Sequence, residues 1–335
     1  MTGKGLQDQL FEVLLGRFSS KRDMVQDLMD LLNCGSDAAY RRVRGQSVLT
    51  PAELALLARH YNISLDRLVF EQTNKVLFTF NAFNRTVTCF DDYFDGILDH
   101  LAKLRRIPEV RIYYSSLEIP IFYYCFFPEL ISFKLYVWGR AIWDLSFTRD
   151  LPFSFDLISP SALAKAGQML EFYLQLPSTE LWSLNILDNT LNQIDYHLNS
   201  GTFKNPSDAL VLIDRVNDLV NHMRSMATSG YKHHVGHSEE LSEIRLLHNE
   251  MIYTNNTIMV QSPYAKGVFT TFGNPNFLFS DDERIIEYTE QWFKRVIAKS
   301  HPLSLGSEKS RNWFFHQLNE RVSRTQAKVR TLIAI

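Results

Sequence analysis

The first seventy residues fall into five short runs, each with apolar residues at steps of three and four and each bounded by a capping residue or a glycine. Isolated helices shorter than about 12–15 residues are marginal in water. These runs are therefore stable only when packed together as a compact bundle. Leu6, Leu10, Phe11, Leu14, Leu15 and Phe18 form the first stripe. Ser19 or Ser20 caps a second helix carrying Met24, Val25, Leu28, Met29, Leu31 and Leu32, which ends at Asn33-Cys34-Gly35, with Gly35 supplying the tight turn. Ser36 then caps a short third helix, SDAAYRRVR, closed by Gly45. Thr50-Pro51 starts a fourth through Leu54, Leu57, Ala58 and Tyr61, ending near Asn62, and Ser64 caps a fifth with Leu65, Leu68 and Val69.

Beyond residue 72 the period changes. KVLFTF and TVTCF read as short strands, Asp91 to Arg106 as an amphipathic helix, and VRIYYSSLE as another strand. The aromatic stretch from Ile119 to Trp143 reads as a buried helix or helix pair, followed by helices over 159–176, 181–199 and from Asn205-Pro206-Ser207 to about Met226. A turn-rich, histidine-rich break spans Gly230 to Glu239. MIYTNNTIMVQS, KGVFTTF and NFLFS then predict an antiparallel meander, and two helices, 281–300 and 309–333, close the chain. The expected fold class is mainly α with a smaller β part (α+β), in three parts: a five-helix bundle over 1–71, a largely helical regulatory or dimerisation region over 72–230, and a small α+β module over 240–335.

At 335 residues with 45% hydrophobic and 21% charged residues, the composition is that of an ordered protein of two or three domains. The formal charge of -2 excludes coating of nucleic acid by bulk charge, so any phosphate binding must come from a local cluster. Cys34, Cys89 and Cys125 are odd in number and widely spaced, which fits neither a disulfide framework nor a zinc site and points to a reducing compartment. MTGKGLQDQLFEVLLGRF has no apolar signal core, and Pro120, Pro128, Glu129, Lys134 and Arg140 interrupt the one stretch of membrane-like density. A cytoplasmic protein without membrane association is expected. No GxxxxGK[ST], GxGxxG after a strand, HExxH or GxSxG is present, so neither a cofactor nor a catalytic residue is assigned and no enzyme activity is expected.

The third helix carries the densest functional signal. A helix entering the major groove must bury one side and offer donors on the other. Small Ala39 and Val43 allow close packing, while Asp37, Tyr40, Arg41 and Arg44 fall at i, i+3, i+4 and i+7. Residues 1–70 hold nine Lys/Arg against eight Asp/Glu, yet three of the nine lie within 41–44. Such a run is also the composition of an ordinary solvated helix face. MVQDLMDLLNCGSDAAYRRVRG followed by LTPAELALLARHYNISLDRL resembles the Cro/lambda-repressor type of helix-turn-helix domain. SDAAYRRVRGQ with LTPAEL is similar to its BetR-type bacterial branch. The resemblance implies a sequence-specific transcriptional regulator that binds double-stranded DNA as a homodimer. Arg41 and Arg44 would meet guanine edges or phosphates, Tyr40 a thymine methyl or phosphate, and Ser36 with Asp37 the start of the reading helix. Arg42, Gln46, Lys21 and Arg22 would make secondary contacts to the DNA backbone.

Elsewhere, His233, His234, His237 and Glu239, with His222 nearby, have the residue types but not the spacing of a divalent-metal site, and solvated turns have the same composition. The aromatic density from Tyr113 to Phe147, including Phe122, Tyr123, Tyr124, Phe126, Phe127, Trp138 and Trp143, is either core or the lining of a pocket for an apolar or planar effector, with Glu118, Glu129 and Arg140 as polar fixtures. The meander from Met251 to Phe279 offers a sensory module or a dimerisation sheet. Trp313, Phe314, Leu318 and Val322 offer a face for docking or for a partner chain. Two other readings remain open: an enzyme or stress-response effector fused to a DNA-binding module, with chemistry around the histidine loop, and a protein-interaction scaffold built on the same fold.

Overall fold

A computed structural model describes residues 5–61, 63–70, 75–84, 86–251 and 255–334. The chain divides into two compact units, Met1–Leu77 and Phe78–Ile335. No helix among the described residues is long and apolar enough to cross a membrane.

The first unit holds α1 (Leu6–Leu15), α2 (Lys21–Leu32), α3 (Ser36–Val43), α4 (Pro51–His60) and α5 (Leu65–Phe70). Their apolar stripes meet in one core of Leu10, Phe11, Leu14, Met24, Leu28, Leu49, Leu57, Ile63 and Leu68. Each large side chain buried there contributes roughly 1.5–3 kcal/mol of transfer free energy. The Ser20 hydroxyl accepts from the Asp23 backbone N–H to cap α2, and Thr50 with Glu53 closes a reciprocal capping box on α4. Two details differ from expectation. The left-handed residue that ends α2 is Asn33, at φ 47°, while Gly35 lies at φ −72° and is itself the N-cap of α3. Ser36 is therefore the first helical residue and does not cap through its side chain. The expected helix end at Asn62 lies outside the described residues.

The second unit contains β1 (Thr79–Phe80), α6 (Asn81–Asn84), α7 (Phe90–Leu104), β2 (Arg111–Ser115), α8 (Ile121–Tyr124), α9 (Pro128–Ala141), α10 (Ser146–Asp150) and α11 (Pro160–Leu174). It continues through β3 (Ser178–Trp182), α12 (Asp188–Asn199), α13 (Asp208–Ser229), β4 (Ile244–His248), β5 (Thr257–Gln261), β6 (Lys266–Thr271), β7 (Phe277–Ser280), α14 (Glu283–Ala298), β8 (His301–Pro302) and α15 (Glu308–Ile333). The strands form one eight-stranded sheet in the order β1-β7-β6-β5-β2-β3-β4-β8. β2, β3 and β4 run parallel and every other pairing is antiparallel. Alternation along the strands gives the sheet two buried faces. Ile112, Tyr114, Trp182, Ile244 and Leu246 join the large helical core. Leu181, Leu247, Met259 and Val268 face Ile286 and Phe293 of α14.

This sheet removes the expected division near 230–240. β2 and β3 belong to one side of that boundary and β4 and β5 to the other, yet β3 pairs with β4 and β2 with β5 over five rungs each. α15 also packs along α13, burying Phe314, Leu318 and Val322 within the same chain, while Trp313 stays half exposed. Residues 78–335 are therefore one unit of mixed α and β structure, and 230–239 is a loop inside it.

Two local readings also change. TVTCF is not a strand: the Asp92 carboxylate accepts from the Thr88 backbone and hydroxyl and from the Cys89 N–H, making the segment the capped start of α7. Those donors hold the Asp92 pKa down to about 2. The helix expected over 181–199 begins at Asp188, because Ser178–Trp182 is the fully buried central strand β3.

Candidate functional site

α3 lays Ala39 into the bundle, 1% exposed, and leaves Ser36, Asp37, Arg41, Arg44 and Gln46 exposed, with Tyr40 half-buried. The Arg44 guanidinium stands 5.5 Å from the centre of the Tyr40 ring, so the two side chains stiffen each other across one turn. Lys21 and Arg22 are exposed at the start of α2. Arg42 points elsewhere. Its guanidinium pairs with Glu53 at 2.7 Å and donates to the Ala38 carbonyl at 3.2 Å, which ties α3 to the capping box of α4. Burial works against the Glu53 carboxylate, but the Thr50 N–H and Arg42 outweigh it and hold its pKa below the usual range. Arg42 is thus engaged inside the bundle and is not free for the backbone contact expected of it.

The exit of α3 is fixed by a residue that helical periodicity does not single out. The Gln7 amide donates to the carbonyls of Arg42 and Ser47 at 2.8 and 2.9 Å and accepts from the Leu49 N–H at 2.8 Å. Gly45, at φ 71°, makes the turn that Gln7 clasps. The stripe of Arg41 and Arg44 therefore projects from a short helix whose exit is held in place.

The second unit encloses a cavity of about 130 Å³ between the sheet and α7, α8, α9 and α11. Ile112, Ile258, Val260, Phe269 and Phe277 supply the sheet wall, and Ile97, Leu101, Leu104 and Phe122 the helical wall. One end is polar. Lys134, 1% exposed, pairs with Glu118 at 3.1 Å and donates to Gln193 at 3.0 Å. Asn189 and Asn274 also donate to Glu118. The ammonium lies 5.0 Å from the centre of the Tyr124 ring and 5.9 Å from that of Trp138.

Phe122, Tyr124, Trp138 and Glu118 are thus brought to the cavity, whereas Tyr123, Phe126, Phe127 and Trp143 lie elsewhere in the core. The other two expected polar fixtures also lie elsewhere. Glu129 pairs with Arg215 at 3.2 Å, and Arg140 donates to the Tyr136 hydroxyl at 3.1 Å. Gln193, Asn189 and Asn274 escaped the sequence reading, because their partners Lys134 and Glu118 are 59 or more residues away in the chain. The only local signal was a lysine inside an apolar run.

No family model, curated protein or solved structure matches this chain.

In the histidine-rich loop His233 is drawn inward, whereas His237 and Glu239 stay exposed. His222 Nε2 meets the His233 carbonyl at 3.0 Å, and His233 Nε2 meets the Ser225 hydroxyl at 3.3 Å. His234 lies 3.4 Å from Glu171, and no group of three or more His, Cys, Asp or Glu able to hold a metal occurs among the described residues. Burial against Phe126 lowers the His222 pKa to about 4, and burial beside Phe133 and Tyr136 does the same for His197. An unfolded histidine takes up its proton near pH 6.5, whereas these two resist until about pH 4. Acid therefore stabilises the unfolded chain first. Stability in urea titrations should fall by roughly 2–3 kcal/mol per histidine as the pH drops through that window. A His222→Asn profile as steep as the wild type would refute the assignment.

Proposed function

We propose that this chain is a sequence-specific DNA-binding transcriptional regulator. Residues 5–70 act as a helix-turn-helix reading domain, and the larger unit dimerises and senses a small effector. The observation that carries this reading is α3, whose Arg41 and Arg44 are exposed on a helix that packs through Ala39. A guanidinium fork matches guanine O6 and N7 or a pair of phosphate oxygens. The order of helices, the Asn33 turn before α3 and the Thr50-Pro51 start of α4 support the resemblance to the Cro/lambda-repressor design. Arg44, stacked on Tyr40, has less side-chain freedom to lose on binding than a free arginine.

Two copies reading half-sites about 34–36 Å apart would provide specificity. An effector would act by binding one spacing of the two reading helices better than another. The alternative that places chemistry at His233, His234, His237 and Glu239 gains no support, since both ring nitrogens of His233 and the Nε2 of His222 meet internal partners.

Genome-wide binding-site selection with the purified chain is expected to enrich one pseudo-palindromic motif. Arg41→Ala with Arg44→Ala should lose it and weaken binding by about 100-fold or more, since each good base contact is worth about 1–3 kcal/mol. The slope of log K against log salt should become shallower for each phosphate contact removed, by about 0.9. Enrichment of the same motif by both proteins would overturn the reading helix, and salt-insensitive binding would favour a protein-interaction scaffold.

A further inference from the structure

The cavity of the larger unit has a feature its apolar walls do not require. Tyr93 and Tyr114, 8% and 4% exposed, both line it. Neither hydroxyl has a hydrogen-bond partner among the described residues, and neither is sealed away among the fully buried unpaired atoms. Burial raises the pKa of both, so each is a neutral phenol that both donates and accepts. Two phenols lining the same accessible space can together offer a donor and an acceptor to a polar group that enters the cavity.

Size, charge and wall chemistry narrow what that is. A dry apolar cavity of roughly 150 Å³ holds benzene, and this one offers about 130 Å³ and opens to solvent on one side, which admits one ring and lets a fused second ring extend toward the mouth. A nucleotide, a peptide or a lipid chain is too large. Within the polar end the Lys134 ammonium is matched by the Glu118 carboxylate, and Glu118 is further satisfied by Asn189 and Asn274. A charged ligand would find no unmatched counter-charge and would lose its hydration. The exposed His100, whose ring packs edge-on against Phe277 at 5.7 Å, marks the side open to solvent.

We infer that the cavity is a binding site for a small neutral aromatic molecule, of one ring or a fused pair, whose single hydroxyl, carbonyl or ring N–H meets Tyr93 and Tyr114. As an effector site this rests on the regulator reading, but the binding itself does not. Titration calorimetry of the full chain with indole and with phenol, beside benzoate and benzylamine, tests it without DNA. Indole and phenol should bind with dissociation constants on the order of 100 µM, in keeping with ligands of so few atoms. Both charged rings should bind at least about tenfold more weakly, given the cost of burying an unmatched charge. Tyr114→Phe should weaken indole and phenol by about 5–10-fold, as expected for one lost hydrogen bond, and leave toluene unchanged. Val260→Phe, with its circular dichroism and melting checked against the wild type, should abolish all binding.

Absence of heat from both neutral rings up to millimolar concentration would overturn the inference. So would equal binding of benzoate, or indifference of indole and phenol to Tyr114→Phe. A second arm measures DNA affinity with and without indole: binding of indole with no DNA binding at all would refute the regulator and keep the site.

Discussion

Glu180→Leu is expected to lower the stability of the larger unit by about 3–5 kcal/mol, the cost of stripping a buried charge of its partner. Glu180 sits at 0% exposure in the middle of β3. It accepts from the hydroxyls of Tyr123, Tyr173 and Ser178 at 2.5, 2.8 and 2.9 Å and from the Trp182 indole at 3.2 Å. Leucine fills similar space but leaves four donors without an acceptor. It also leaves Lys232, fully buried, without the one charge that favours its ammonium. Lys232 holds the carboxyl end of α11 by donating to the Tyr173 and Leu176 carbonyls at 3.2 and 2.7 Å. Burial already lowers its pKa to about 7 from 10.5, with Glu180 opposing the shift.

Between those two values the unfolded chain binds the extra proton, so stability rises with pH across the window. That rise should extend to lower pH in the variant, because loss of Glu180 lowers the Lys232 pKa further. Chemical denaturation at several pH values gives both numbers. Glu180→Gln should fall between wild type and Glu180→Leu, since an amide oxygen still accepts from part of the set. A Glu180→Leu protein within about 1 kcal/mol of wild type, the level of a lone neutral hydrogen bond, would mean that the network is slack.

Lys134→Met is expected to cost about 3–5 kcal/mol for the same class of reason, and the partner substitution should recover part of it. Removing the ammonium leaves the Glu118 carboxylate buried with only the amides of Asn189 and Asn274. In the double variant Glu118→Gln with Lys134→Met no charge remains to desolvate. Its loss should be at least about 1 kcal/mol smaller than the sum of the single losses, a coupling typical of contacting residues. Strict additivity in denaturant titrations would show that the two groups do not act as a pair.

The helices were legible because their apolar residues keep a helical period and because caps such as Ser20 and Thr50 do their work through sequence neighbours. β5, β6 and β7 were legible for the parallel reason of alternation and turns. β3 was not, because STELW hides a buried strand behind polar letters. Glu180 is satisfied by Ser178 and Trp182 within the strand but also by Tyr173 and the distant Tyr123, and no window of the strand's own length contains that set. β4 was passed over as well, since Ile244–His248 makes sense as a strand only beside β3.

At the two candidate sites the same division holds. The stripe of Arg41 and Arg44 is set by spacing within one helix. The engagement of Arg42 with Glu53 and the clasp of Gln7 on the α3 exit depend on chain segments that meet only in the fold. Tyr93 and Tyr114 show the limit most plainly. Their unpaired hydroxyls are a property of what fails to surround them.

The pairing of β2 with β5 has a consequence for how the protein is made. Arg111–Ser115 can complete its hydrogen-bond ladder only after residue 261 has emerged, and α13 keeps an open flank until α15 follows. A nascent chain of two hundred residues therefore carries a finished N-terminal bundle beside a half-built sheet with bare edges, the state in which unpaired strands seek other chains. Closure waits for the segments from β5 to α15, and chaperone demand during synthesis should peak while they emerge.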